Sequence, residues 1–227
     1  MADADRRLLP LFLADVETTG LKAGYHRVIE VAFARIDDGR WDEFKISTYR
    51  FRPSKLDYLN GSRDAYRVNG YREGHEDWRD APELDTEEAR HQWREIRRAM
   101  GGVILLNQNV SFDARFMHAE FQAHLSAAYD EPPWGNRTWE VMAFSKKHKE
   151  ARGLENAKLA NVYDAIGGPA LPEHRAEADV LRAIWVLATG VQAWPELWPD
   201  FAMGDPEAAK EAVRRWAAAR LEAERAA

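Results

Sequence analysis

The run lengths and spacing of apolar positions divide the chain into strand-like and helix-like stretches. LLPLFLAD from Leu8, HRVIEVAFARID from His26 and WDEFKISTYRF from Trp41 read as three strands, separated by Gly-containing or Asp-Gly turns. IDDGRW is a hairpin signal between the second and third. Helical spacing begins near Pro82, where Leu84, Ala89, Trp93, Ile96 and Met100 share a face, and stops at Gly101-Gly102. A fourth strand, VILLN, follows at once. In SFDARFMHAEFQAHL, with Ser111 as N-cap, Phe112, Phe116, Ala119 and Ala123 fall on one helical face. NRTWEVMAF reads as a short strand entering a helix, and LENAKLANVYDAIGG and HRAEADVLRAIWVLATG as two further helices. Strands first, then strands alternating with helices, predict an α/β fold in which helices pack on a mixed sheet. A Trp-bearing linker, VQAWPELWPDFAMG, leads to the cap Asp205-Pro206 and a final helix rich in Ala, Glu and Arg. Its stripe Val213, Trp216 and Ala217 is expected to dock on the domain, with a partner as the alternative.

Composition narrows this picture. With 227 residues the chain can bury a full core, and its apolar segments show no cut point; one domain with a C-terminal extension is the simplest count. A net charge of −6 argues against non-specific coating of nucleic acid, which depends on phosphate neutralisation, but not against an enzyme that visits it. The chain has no cysteine, so disulfides and thiolate metal sites are excluded, any metal must be held by oxygen or imidazole, and a reducing cytoplasm is the expected location. RRLLPLFLA, the nearest thing to a targeting segment, is short, holds Pro10 and ends at Asp15, so it suits a first strand and no membrane span is expected. Basic clusters at SRDAYRVNGYR and KKHKEAR are as consistent with solvated faces as with binding surfaces.

The chemistry begins at FLADVETTGL. Side chains alternate along a strand, so Asp15 and Glu17 point the same way while Val16 enters the opposite layer. Two buried like charges cost several kcal/mol each unless a positive partner offsets them. A divalent cation suits a carboxylate pair, Mg²⁺ in particular because it completes its shell with water and phosphate. NVSFDARF adds Asp113 at a helix start. HRAEAD adds His174 and Asp179, the latter within an apolar helix that should turn it inward.

DVETTGL with RVIEVAFARI, then NVSFDARFM, then HRAEADV resemble, in order, the three motifs of the DEDDh, or DnaQ-like, 3′ to 5′ exonucleases of the RNase H-like superfamily. The similarity spans about residues 8–190, leaving 191–227 as linker and C-terminal helix, and YRVNGY resembles the family's connecting segment. The resemblance implies an RNase H-like mixed five-stranded sheet flanked by helices. It further implies two Mg²⁺ or Mn²⁺ ions gathered by Asp15, Glu17, Asp113 and Asp179, with Asp15 bridging both. Glu17 and Asp179 would serve the ion that holds the nucleophile, Asp113 would serve the second, and His174 would take a proton from the attacking water. Thr18 and Thr19 would approach the terminal nucleotide by their backbone, Gly20 would permit the turn, and Asn109 and Phe112 would line its sugar and base. One departure stands out: Gln108 occupies the usual place of His in the family's His-Asn pair, where an adjusted substrate contact or an adjusted supporting shell is expected, not lost catalysis.

The implied activity is metal-dependent release of nucleoside 5′-monophosphates from single-stranded or frayed 3′ DNA ends, including proofreading. An RNA-trimming enzyme of the same family is the runner-up. A non-catalytic nuclease-fold subunit is disfavoured, since a scaffold need not retain the full constellation. Single-stranded nucleic acid is the expected partner, with a DNA polymerase or other protein reached through the C-terminal helix.

Overall fold

The first four residues of the first strand, LFLADVET, carry apolar side chains on both faces before the acids appear, which is the pattern of a strand covered on two sides. In the computed structural model this strand, β1 (Leu11–Thr18), lies at the centre of the sheet. The structure describes residues 9–41, 43–72, 75–125, 131–172, 175–198 and 204–226. The other strands are β2 (Val28–Ile36), β3 (Ile46–Arg50), β4 (Ile104–Asn107) and β5 (Thr138–Glu140). Their order across the sheet is β3-β2-β1-β4-β5; the first three run antiparallel, while β4 and β5 lie parallel to β1. This is the expected mixed five-stranded, RNase H-like sheet.

Alternation sends the strands' residues into two cores. Leu11, Leu13, Ala32, Ala34 and Ile36 pack beneath α6 (Met142–Arg152), α7 (Leu159–Ala165) and α8 (Ala176–Ala193). Phe12, Ala14, Val16, Val31 and Phe33 pack beneath α4 (Glu87–Ala99) and α5 (Val110–Leu125), where Phe51 stacks on Trp93 with centroids 4.8 Å apart. Each of the Val, Leu, Ile and Phe side chains among them, fully withdrawn from water, contributes about 1.5–3 kcal/mol. Asp15 and Glu17 inherit the parity of Leu11 and Leu13, which aims them at the α8 layer.

The C-terminal helix α9 (Pro206–Ala226) docks on the same layer. Ala209 and Val213 are fully buried in that core, and Lys210 and Arg214 lie over the Trp185 ring. Asp205 caps the helix, accepting from the Glu207 amide at 2.9 Å. The stripe read from the sequence therefore packs in cis.

Several expectations are corrected. Helix α5 starts at Val110, so Ser111 is not its N-cap and instead donates to Asn109 Oδ1. The buried face of α5 carries Asp113, Phe116, Met117, Glu120, Phe121 and His124, whereas Ala123 is exposed; polar groups are buried here because the sheet supplies partners for them. The IDDGRW turn forms at Asp38-Gly39, both with positive φ, but the described pairing of β2 with β3 begins only at Ile46, and Trp41 is buried in the core between them in the chain. Three short helices, α1 (Lys55–Asn60), α2 (Arg63–Asn69) and α3 (Glu76–Arg79), lie in and around YRVNGY, the part of this stretch read as a connecting segment. Ser54 and Asp57 form a capping box on α1, a signal present in the sequence as S-x-x-D. The helix read from LENAKLANVYDAIGG occupies only its middle, Leu159–Ala165, and residues 199–203 of the linker lie outside the described residues.

Candidate active site

β4 pairs with β1 only as far as Leu13 and ends at Asn107, so β1 runs on past its parallel neighbour. The Val16 amide donates to Asp113 Oδ1 at 3.1 Å, which fixes the first turn of α5 against the end of the strand. A register shift at Glu17/Thr18 then bends the chain out of the sheet. Asp179 comes from the first turn of α8, and Arg182, one turn on, donates to its Oδ1 at 2.6 Å and to the Pro172 carbonyl at 2.8 Å. Carboxylate oxygens of Asp15, Glu17 and Asp179 lie within 4.8 Å of one another.

Positive charge nearby is sparse relative to this crowding. Burial, followed by the charges of Asp113, Asp179 and Glu17, raises the Asp15 carboxyl well above its usual range, although Asn107 Nδ2 donates to it at 3.2 Å. Burial and then Asp179 and Glu30 lift Glu17 to about 8, with Arg175 opposing. Burial also lifts Asp113 to about 7 despite the opposing hydrogen bonds from Asn107 and Val16. Glu30 is paired with Glu17 in the β1–β2 register and fully buried; its Oε2 accepts from Arg50 Nε at 2.9 Å while Oε1 has no partner. Clustered oxygen donors whose mutual repulsion is only partly offset by arginine fit a hard divalent cation, which favours the ionised form of every one of them. Asp15, Glu17 and Asp179 could hold one directly, with Asp113 beside them.

Of the residues predicted from sequence, these four acids are brought together. His174 lies outside the described residues. Thr18 and Thr19 are buried: Thr18 Oγ1 donates to the Gly20 carbonyl at 2.6 Å, Thr19 Oγ1 accepts from the Arg27 amide at 2.9 Å, and Asn69 and Ser62 hold their carbonyls. A Cβ on Gly20 would stand 2.6 Å from the His26 ring, so this turn needs glycine for close approach. Asn109 is exposed just before α5; Phe112 is half-buried, its ring centroid 4.8 Å from that of Phe116. Gln108 turns away from the acids, accepting from Ser145 at 2.8 Å and donating to the Ala157 carbonyl at 2.9 Å, so it ties β4 to α6 and to the chain beyond it. Sequence reasoning missed Asn107, Arg182, Glu30 and Arg50. The spacing of Asp179 and Arg182 could have shown that pair, whereas Asn107 and Arg50 become visible only once strands are in register.

Solved structures with the same architecture include the zinc-bound complex of Escherichia coli exonuclease I with single-stranded DNA, at TM-score 0.64 and 18% identity, covering 84% of this chain and 42% of that one. Exonuclease I from Methylocaldum szegediense superposes with TM-score 0.64 at 19% identity, covering 83% and 42%. The fold is thus that of an exonuclease domain, and this chain spans less than half of those proteins. The RNase T exonuclease family matches residues 12–187, and the chain belongs to that DnaQ-like, RNase H-like family. A PolC-type DNA polymerase III from Oceanobacillus iheyensis is 35% identical over 127 residues, 53% of this chain but only 8% of the polymerase. Among the described residues no helix is long and apolar enough to cross a membrane.

Proposed function

We propose that the protein is a 3′ to 5′ exonuclease that hydrolyses single-stranded or frayed DNA ends to nucleoside 5′-monophosphates. The observation that carries this is the convergence of Asp15, Glu17 and Asp179 within 4.8 Å, with Asp113 held against the same strand end. Two Mg²⁺ or Mn²⁺ ions, when bound, would neutralise charge on the scissile phosphate and acidify the attacking water. Asp15 would contact both, Glu17 and Asp179 would orient the water's side of the phosphate, and Asp113 the side of the leaving 3′ oxygen. His174 would accept the water's proton. The residue 18–20 turn, with Asn109 and Phe112, would receive the terminal nucleotide. DNA is favoured because the exonuclease I neighbour is a complex with single-stranded DNA and the curated relative is a DNA polymerase. A polymerase or other protein as partner and a cytoplasmic location belong to the same proposal; because α9 packs in cis, its solvent face would be the one to meet a partner.

Digestion of 5′-labelled single-stranded DNA, RNA and mismatched duplex with Mg²⁺ or EDTA tests this reading. A ladder that shortens from the 3′ end on DNA and stops in EDTA is expected. Preference for RNA would reassign the substrate, and internal cuts or cleavage in EDTA would refute the mechanism.

A further inference from the structure

Outside the acid cluster, Arg27 is among the most heavily bonded side chains of the described residues. Its Nε donates to Glu120 Oε1 and its Nη2 to Glu120 Oε2, both at 3.1 Å. Nη2 also reaches Asp85 Oδ1 at 3.2 Å, and Nη1 lies 3.8 Å from Asp57 Oδ2 on α1. Glu120 is 3% exposed; its Oε1 accepts a further bond from the Val28 amide at 2.9 Å, and its Oε2 meets His124 Nε2 at 3.1 Å. Burial would raise the Glu120 carboxyl, yet His124 and the Arg27 guanidinium hold it below its usual range. The carboxylate is therefore ionised and tightly held.

Two features connect this pair to the site. The Arg27 backbone clasps Thr19, its amide donating to Thr19 Oγ1 at 2.9 Å and its carbonyl accepting from the Thr19 amide at 2.8 Å. Glu120 lies seven residues after Asp113 on the buried face of α5. Two turns apart, the acids repeat one device: Asp113 accepts the Val16 amide at the end of β1, and Glu120 accepts the Val28 amide at the start of β2.

We propose that Arg27 and Glu120 are positioning residues that lock the nucleotide-receiving turn, residues 18–20, to α5, so that the 3′-terminal nucleotide meets a preformed surface. The pair touches no reacting atom. A planar guanidinium gripped by both carboxylate oxygens fixes distance and orientation together, which a point charge does not. Loosening it therefore weakens capture of the chain end more than it slows the chemical step. The inference rests on the proposed reading that residues 18–20 receive the nucleotide.

The test uses E120Q, which keeps shape and an acceptor for Val28, and R27K, which keeps the charge but loses the fork. Three measurements are compared with the unaltered protein: steady-state kinetics on single-stranded DNA, dTMP binding by calorimetry with Ca²⁺ present, and hydrogen exchange in the peptide covering residues 16–28. For both variants KM and the dTMP Kd should rise about tenfold while kcat stays within about threefold, and exchange should quicken in that peptide. Unchanged KM, Kd and exchange with a lower melting temperature would make the pair merely structural and overturn the proposal. So would a fall in kcat at constant KM. If E120Q fails to fold, R27K decides. If the unaltered protein leaves DNA uncut, the functional reading fails, while nucleotide binding and exchange still judge the pair.

Discussion

Replacing Asp15 by Asn should abolish cleavage and, in EDTA near pH 7.5, make the protein more stable. The substitution preserves shape and leaves an oxygen to accept from Asn107, but removes one charge from a cluster whose oxygens approach within 4.8 Å. At that separation and an effective dielectric of about 20, two full charges repel by about 3.5 kcal/mol. The raised proton affinities of Asp15, Glu17 and Asp113 mean that part of the charge is already neutralised, so the relief is smaller, on the order of 1–3 kcal/mol. For a domain of this size that corresponds to a rise in melting temperature of roughly 2–10 °C. Differential scanning fluorimetry with EDTA, repeated with saturating Mn²⁺, measures it. Mn²⁺ should stabilise the unaltered protein strongly and Asp15→Asn weakly, which reverses their order. A destabilised Asp15→Asn in EDTA, or equal stabilisation of both by Mn²⁺, would refute the reasoning that these carboxylates are held together against repulsion for a cation.

Other consequences are equally open to measurement. Glu17 holds its proton to about pH 8 when folded against an ordinary 4.5, so the native state binds the extra proton between those values. Metal-free stability should therefore be fullest below about pH 4.5 as far as this group is concerned, and fall as pH rises towards 8; urea titrations in EDTA that show a rise instead would contradict it. His174→Ala should lower kcat by about a hundredfold or more if this side chain accepts the water's proton; a few-fold loss at every pH would remove it from that role. Gly20→Ala forces a Cβ to within 2.6 Å of the His26 ring, so KM for oligonucleotide should rise with little loss of fold, as circular dichroism and kinetics together would show. Truncation before Asp205 strips Ala209 and Val213 from the core and should lower the melting temperature by more than 5 °C, about 2 kcal/mol or more; an unchanged melting temperature would mean that α9 contributes nothing to the domain.

Much of the architecture was legible because the central strands obey simple parity. Phe12, Ala14 and Val16 against Leu11, Leu13, Asp15 and Glu17 announce a two-sided strand whose acids share a face, and the motif order supplied Asp113 and Asp179. What stayed hidden depends on long-range pairing. Glu120 and His124 look like solvent-facing helix residues until Arg27 arrives from the turn just before β2, ninety-three positions away from Glu120. Asn107 reads as the tail of a strand until β1 overruns it. Helices α1 to α3 were missed because each is under eight residues and held by caps and by Tyr58, Tyr66, Tyr71 and Trp78 packing around Ile29, with no long periodic face to betray them. The place of Gln108 in the motif left a substrate contact and a supporting role both open, and its amide is used internally by Ser145 and Ala157, which is the supporting role.

The most direct measurement of the central claim is anomalous diffraction from crystals of the protein soaked with Mn²⁺ and a nucleoside 5′-monophosphate. Manganese signal should appear between Asp15, Glu17 and Asp179, with Asp113 beside it, and vanish in Asp15→Asn. Signal elsewhere in the protein, or signal that survives that substitution undiminished, would contradict the assignment of these carboxylates as the metal-gathering centre of the nuclease.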